Sequence, residues 1–448
     1  MGLRIIYGRA GTGKSEYCYN EIFKLNEEIL IITPEQFSFT AEKKLMNAIK
    51  TQAVLNAEVI TLSRMAYRVI NEIGEKTRTS LSECGKAMLI YSILGNNKKN
   101  LKFLGKTDEN LEVIETAITE FKKHGIRVEK IKQEIDNQSD VYLRNKLQDM
   151  YTIYDEFENQ LAGKYIDETD LLTILAENVD KVEQFKNKII YIDEFAGFTS
   201  QEYEIIKKLI GISKQVTITI CTDELHEIKN PDTDIFYSNQ VTINKLLNLA
   251  KECDVNVEEI KLVETYRYKS QELKHLEENL YQNRYKKYEK NVNDLEIFLA
   301  KNQYSEIEQV ANNILKLVRS GNYRYKDIAI ITKNIDIYSN LARAIFAQYG
   351  IPIFIDENRD LSQNIIIQYI LSILEIFSKN WSYDSVLNYI KTGFLDINED
   401  DIFELEIYCL KWGITHNKWK KEFVYGMQEE KDRSKIERLE QIRKEIVV

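Results

Sequence analysis

An α/β fold with helices packed on the faces of parallel sheets is what this sequence predicts, and three observations predict it. Short β-branched runs alternate with amphipathic stretches from the N-terminus onward, and a glycine-rich turn sits between the first such run and the first helical stretch. The composition, 44% hydrophobic and 29% charged over 448 residues, is that of a folded chain, and at ~150 residues per domain the length suggests about three units.

In order along the chain, Ile5-Ile6-Tyr7 reads as a strand followed by a helix from Lys14. Ile29 to Thr33 reads as a second strand with a helix from Phe39, and Val59 to Leu62 as a third with a helix from Arg64. Strands then disappear and long helical patterns take over, such as Leu111 to Lys123 and Tyr142 to Leu161. Apolar strand runs return at Lys188 to Ile192 and Val216 to Cys221. The expected arrangement is one discontinuous α/β domain, 1–78 with 163–290, interrupted by a helical insertion at 79–162.

A second, partial α/β domain is expected at 291–375. Glu296 to Ala300 is its first strand, and a helix with Ile307, Val310, Ala311, Ile314 and Val318 on one face follows; further strands are expected at Ile328 to Ile331 and Ile351 to Ile355. The remainder, 376–448, is helical and charged without an obvious cap; it reads as the start of a second helical insertion in a piece of a longer chain.

Composition also excludes function classes. No apolar run approaches the ~20 residues that cross a bilayer, and the N-terminus passes directly into the first strand, so no membrane or targeting segment is expected. The cysteines Cys18, Cys84, Cys221, Cys253 and Cys409 are scattered without a CxxC pair; neither a disulfide framework nor a cysteine metal site is expected, and the location is expected to be cytoplasmic. His124, His226, His275 and His416 are dispersed, with no metal-ligand spacing. A net charge of −10 repels phosphate at long range, so any nucleic-acid site must be local.

Gly8-Arg9-Ala10-Gly11-Thr12-Gly13-Lys14-Ser15 matches GxxxxGK[ST] between an apolar strand and a helix, the context in which that motif holds a nucleotide triphosphate. Gly11 and Gly13 permit a backbone nest of N–H groups, which the helix N-terminus reinforces. Lys14 is the expected donor to the β- and γ-phosphates, and Ser15 a ligand of Mg²⁺. The loop also requires carboxylates at the end of a neighbouring strand. Lys188 to Glu194 supplies them: Asp193 for the metal and Glu194 as general base toward water. A simple helix cap is the plainer reading of the Asp-Glu pair. The expected cofactors are ATP and Mg²⁺.

Several segments together resemble a superfamily-one helicase core, and in particular the AddB family. They are the N-terminal GRAGTGKS, Thr33-Pro-Glu-Gln36, Thr61-Leu-Ser-Arg64-Met-Ala-Tyr67-Arg68, Tyr191 to Thr199, Asn322 to Ile330, and Gly350 to Asp356. The resemblance implies a P-loop NTPase with two RecA-like domains, each carrying a helical insertion. It also implies an AddA-like partner, attachment to single-stranded DNA and duplex ends, recognition of the Chi signal during double-strand break processing, and a nuclease with an iron-sulfur cluster in a portion beyond this sequence. Gln36, Ser38, Arg64 and Tyr67, with Phe198, are by that resemblance the residues that read a single strand; as plain sequence, Tyr67 and Phe198 read equally as core aromatics.

Arg267, in Thr265-Tyr266-Arg267, resembles the helicase arginine that meets the phosphates, with a strand-edge role as the alternative. Cys221-Thr222-Asp223-Glu224 departs from the family of motors, since it lacks the Gly and Gln of their coupling segment. The expectation is a weak ATPase at most. The competing class is a stand-alone P-loop kinase of small-molecule type, which has no need of two α/β units with large insertions.

Overall fold

The structure is a computed structural model and describes the chain except residues 1, 49–55, 75–77, 105–109, 227–231, 233, 282–285, 358–360, 428–432 and 448. The chain divides into two compact units, Met1–Glu296 and Ile297–Val448.

The first unit is built on a six-stranded sheet in the order β3-β2-β6-β7-β1-β8. Its strands are β1 (Gly2–Gly8), β2 (Ile29–Ile32), β3 (Ala57–Ile60), β6 (Ile189–Ile192), β7 (Gln215–Cys221) and β8 (Asn256–Lys261), and every pairing is parallel. Ile29–Ile32 and Ile189–Ile192 are apolar at nearly every position because both faces of the sheet are covered, the usual condition of parallel strands. Alternate residues define the two faces. Leu3, Ile5, Leu30, Ile32, Ile190, Ile192, Val216 and Ile218 form one core with helices α3 (Leu62–Ile73), α8 (Glu168–Asn178), α9 (Ser200–Ile212) and α10 (Tyr237–Glu252). On the other face Ile6, Ile29, Ile31, Val59, Ile189 and Tyr191 pack with α1 (Lys14–Ile22) and α2 (Ser38–Ala48).

Capping explains where the helices start. Thr61 accepts a hydrogen bond from the Arg64 amide at 3.3 Å to open α3, which Gly74 closes in the left-handed conformation. Thr199 and Glu202 form a reciprocal capping box at the head of α9.

Helices α4 (Glu83–Asn97), α5 (Leu111–Lys123), α6 (Val128–Asn137) and α7 (Val141–Leu161) bury a separate core around Ile93, Ile118, Ile153 and Phe157. A short parallel ladder, β4 (Thr79–Leu81) with β5 (Tyr165–Asp167), joins the two ends of this helical segment. Neither strand stands out in the sequence, because three residues are too few to show an alternation. The edge strand β8, Asn-Val-Glu-Glu-Ile-Lys, is equally unmarked because it is largely exposed.

The second unit differs from the sequence expectation. Helices α12 (Gln303–Arg319) and α13 (Ile335–Gln348) pack together through Ile307, Ala311, Ile314, Ile345 and Phe346 as the periodicity predicts. The segments 296–300, 328–331 and 351–355, expected as strands, form no ladder among the described residues. Ile297, Leu299, Ile331 and Phe354 are 99, 100, 94 and 89% exposed. A strand exists only through its partners' hydrogen bonds, and these segments have the composition of strands without such partners among the described residues. Helices α14 (Ile365–Ser378), α15 (Tyr383–Ile390), α16 (Glu399–Trp412) and α17 (Arg433–Val447) follow, around a core of Ile390, Leu405, Trp419 and Leu439. α11 (Gln271–Asn279) belongs to the first unit. No described helix is long and apolar enough to cross a membrane.

Candidate functional site

Parallel strands present all their carboxyl ends along one rim of the sheet, and the chemistry-bearing residues of the first unit gather there. β1 ends at Gly8, and the chain turns through Gly11 and Gly13, both left-handed at φ 81° and 80°, before α1 begins at Lys14. Close approach of another segment also demands the glycines. Leu262 donates its amide to Tyr7 O at 2.8 Å and Tyr266 to Gly11 O at 2.9 Å, so residues 262–267 cross the loop as a strap. A Cβ on Gly8 would lie 2.4 Å from Leu262 O, and one on Gly11 would lie 2.6 Å from Arg267 Cβ.

Lys14 folds back over this loop, its Nζ donating to Gly8 O at 2.9 Å and to Arg9 O at 3.0 Å. Burial lowers the pKa of its ammonium, and the charge of Arg267 acts in the same direction, against the opposing pull of Cys221, Asp193 and Glu194. A desolvated cation among backbone dipoles, beside two left-handed glycines, is a site made for an anion. Thr12 is buried and donates to Arg9 O at 2.9 Å, which stiffens the turn. Ala10 completes the loop.

Arg9 turns away from this anion site. Its guanidinium grips Glu277 on α11 with Nε–Oε distances of 2.9 and 3.2 Å and lies over the Phe236 ring at 5.1 Å. Only its backbone faces the loop interior through the Lys14 contact. Arg267 is brought to the loop by the strap, and its neighbour Tyr266 holds an exposed ring next to Gly13: a Cβ there would be 3.4 Å from Tyr266 Cδ2.

Asp193 and Glu194 follow β6. The sequence reading puts them on the strand beside β1, but β7 lies between, two strand spacings or ~10 Å across the sheet. Strand order is a tertiary property that local pattern does not encode. Side-chain reach closes the gap: Ser15 Oγ donates to Glu194 Oε1 at 3.4 Å. Asp193 is buried, its amide bonded to Ile32 O at 3.1 Å and its carboxylate receiving the Thr219 hydroxyl from β7. Glu194 is exposed, with φ at 66°, and its Oε1 also accepts from Lys44 Nζ of α2 at 3.1 Å.

A hydroxyl and two carboxylates are the hard oxygen donors that suit Mg²⁺, which is held by one or two protein carboxylates together with phosphate oxygens. No cluster of three or more His, Cys, Asp or Glu able to hold a metal alone occurs among the described residues. The residues present therefore fit a phosphate-bound magnesium ion rather than a dedicated protein cage.

Gln36 and Ser38 lie just past β2, and Arg64 and Tyr67 in the first turns of α3, just past β3. β2 and β3 are neighbours at one edge of the sheet, so these four share the rim with the loop at its other end. Gln36, Arg64 and Tyr67 are exposed, whereas Ser38 is half-buried and donates to Glu35 O at 3.0 Å. Arg64 is loosely paired with Glu42 of α2 at 3.5 Å. Phe198 instead packs within an aromatic group, with ring centroids 5.2 Å from Phe195 and 5.6 Å from Tyr203.

The sequence alone does not single out Lys44, Glu42, Thr219, Tyr266 or Glu277. Thr219 leaves a trace, as a polar residue in a strand otherwise buried, while Lys44 leaves none.

Fold and rim together define a class: α/β proteins whose glycine-rich strand–loop–helix turn sits at the carboxyl edge of a parallel sheet, with an acidic pair on the same edge. Comparison with known proteins narrows it. The family described as "ADDB, N-terminal" matches residues 5–277, and the chain belongs to the AddB family. It is 41% identical over 460 residues to an ATP-dependent helicase/deoxyribonuclease subunit of Clostridium botulinum (strain Loch Maree / Type A3), covering 100% of this chain and 40% of the relative. The protein of the same name from Clostridium tetani (strain Massachusetts / E88) is 40% identical over 473 residues, covering 100% of this chain and 41% of the relative. That of Thermoanaerobacter sp. (strain X514) is 39% identical over 445 residues, covering 97% and 39%. The chain thus spans about two-fifths of the length of these curated relatives.

Proposed function

We propose that this chain binds Mg-ATP on the Gly8–Ser15 loop as the helicase-like subunit of a DNA-processing helicase-nuclease, beside an AddA-like partner. The observation that carries the nucleotide reading is Lys14, a buried ammonium held by two loop carbonyls between left-handed glycines, one side-chain bond from an acidic pair. The loop amides and Lys14 hold the β- and γ-phosphates. Ser15 and Asp193 hold the metal, whose charge neutralises the phosphates, and Arg267 approaches the phosphates from the strap. The exposed Tyr266 ring offers a stacking face for the base. Glu194 is the carboxylate placed to orient and deprotonate water.

The first unit is read as a RecA-like domain, 1–78 with 163–290, carrying the insertion 79–162. The second domain, 291–375, is read as partial, and 376–448 as the beginning of its own insertion. Single-stranded DNA runs along the rim past Gln36, Ser38, Arg64 and Tyr67, which read the Chi signal during break processing. Phe198, packed among aromatics, contributes by shaping the loop after Glu194. No residue of this chain is assigned to an iron-sulfur cluster. Burial pushes the Cys18 thiol up and that of Cys409 to about 12, which disfavours the thiolates such a cluster requires. Family membership weighs against the small-molecule kinase alternative.

The nucleotide reading is tested by calorimetric titration of Mg-ATP into the chain. Lys14→Ala is expected to weaken binding at least 100-fold, about 2.7 kcal/mol, and Glu194→Gln to leave affinity unchanged while removing the slow turnover. Equal affinity of the wild type and Lys14→Ala would refute it.

A further inference from the structure

Glu194 leaves β6 with its backbone in the left-handed region at φ 66°, a conformation that a long side chain adopts only where the surroundings impose it. The direction of its carboxylate is therefore set by the fold rather than left to solvent. That carboxylate meets two donors on one oxygen: Ser15 Oγ at 3.4 Å and Lys44 Nζ at 3.1 Å both point to Oε1. An oxygen whose lone pairs are taken by two donors has none with which to receive a proton from water. With Mg-ATP on the loop as proposed, Ser15 is drawn off toward the metal. Lys44 is then the donor that remains.

Resting on the reading of Glu194 as the water-activating carboxylate, we propose that Lys44 is a positioning residue that holds Glu194 idle and keeps ATP turnover by this chain slow. Lys44 is suited to that role by its placement. It stands on α2, a helix anchored on the sheet through Ala41 and Leu45. The pair itself is open to solvent, with the two side chains 44 and 35% exposed, so it is weak enough to be released. α2 begins at Ser38 on the strand-binding rim, and its Glu42 pairs with Arg64 at 3.5 Å, so one helix touches both ends of the rim.

The test compares wild type, Lys44→Ala, Lys44→Arg, Glu194→Gln and the double variant Lys44→Ala/Glu194→Gln in steady-state ATP hydrolysis, with Mg-ATP affinity measured in parallel. Lys44→Ala is expected to raise kcat at least about fivefold with KM and affinity unchanged, well inside the ~10²–10⁴ that a general base contributes. Lys44→Arg stays at the wild-type rate, and the double variant falls to the level of Glu194→Gln. In the nucleotide-free protein the melting shifts of Lys44→Ala and Glu194→Gln are expected to be non-additive, since the two groups touch.

A Lys44→Ala rate equal to or below wild type, undetectable turnover in both included, overturns the proposal. So does weakened Mg-ATP affinity, which would make Lys44 a phosphate ligand. An increase that persists in the Glu194→Gln background overturns it as well. Failure of the underlying site reading looks different: Glu194→Gln would then leave turnover intact, or Lys14→Ala would leave nucleotide binding intact.

Discussion

Gly11 and Gly13 look interchangeable in the sequence motif, yet they answer to different constraints. Both are left-handed, which costs an L-residue roughly 1–2 kcal/mol. Only Gly11 is also pressed by the strap, with Arg267 Cβ 2.6 Å from where its own Cβ would stand; at Gly13 the nearest atom, Tyr266 Cδ2, is an ordinary 3.4 Å away. Gly11→Ala is therefore expected to displace residues 265–267 and to lose nucleotide affinity by at least tenfold more than Gly13→Ala. Titration of Mg-ATP into both variants checks this, and equal losses would mean that strain alone matters. The motif marks the loop in the sequence because its function depends on contiguous residues. Lys44 and Thr219 reach the same site across 150 and 26 residues of chain, and no local spacing announces a contact of that kind.

Among the elements, those with long amphipathic periods are the legible ones. Leu111 to Lys123 is helical over the span its pattern predicts, and the β-branched runs at Ile29 and Lys188 are strands, since burial on both faces leaves a continuous apolar signature. Where the insertion helices meet β5 and α8, however, the chain buries a charge cluster that periodicity cannot show. Asp167 Oδ2 accepts from Lys86 at 3.0 Å and from the Thr169 hydroxyl at 2.9 Å, and lies 3.6 Å from Lys122. Lys122 is also paired with Asp170 and Glu158, both at 2.8 Å. Burial pushes the Asp167 carboxyl up, but Lys122, Lys86 and Thr169 together outweigh it and hold it below its usual value. Its contribution to stability is thus present above the unfolded Asp value of about 3.9 and lost as pH falls through the lower folded one. Glu158 is shifted the other way, upward, chiefly by burial. Its term is present at low pH and lost as pH rises through the folded value, so it partly offsets Asp167 on acidification. Asp167→Asn is expected to lower stability at neutral pH by about 3 kcal/mol, because it strands Lys86 without its carboxylate. The variant should also show a flatter decline below pH 4 than wild type. Urea unfolding at a series of pH values checks both, and an unchanged acid slope would show that Asp167 is not the titrating group.

For the whole molecule, the balance of charge decides how DNA can be bound. A net charge of −10 supplies no long-range attraction, so affinity must come from the rim alone, and a partner motor must deliver the strand to it. The two arginines there differ in availability. Arg68 is engaged with Glu58, with two guanidinium nitrogens on the carboxylate, and burial only partly opposes that pair in raising its pKa. Arg64 is 58% exposed and held only by the 3.5 Å contact to Glu42, so a base or phosphate can take it over. A bidentate arginine contact distinguishes bases by about 1–3 kcal/mol, whereas stacking on Tyr67 is tolerant of sequence. The chain alone is therefore expected to bind single strands weakly and without preference, with Tyr67→Ala lowering affinity for every sequence. In a complex reconstituted with an AddA-like partner, Gln36→Ala and Arg64→Ala are expected to reduce Chi-dependent arrest of DNA degradation at least tenfold, while Arg68→Ala costs stability and leaves arrest in place. If Gln36→Ala and Arg64→Ala stop at Chi as efficiently as wild type, the strand is read by other residues and these two belong to the architecture of the rim.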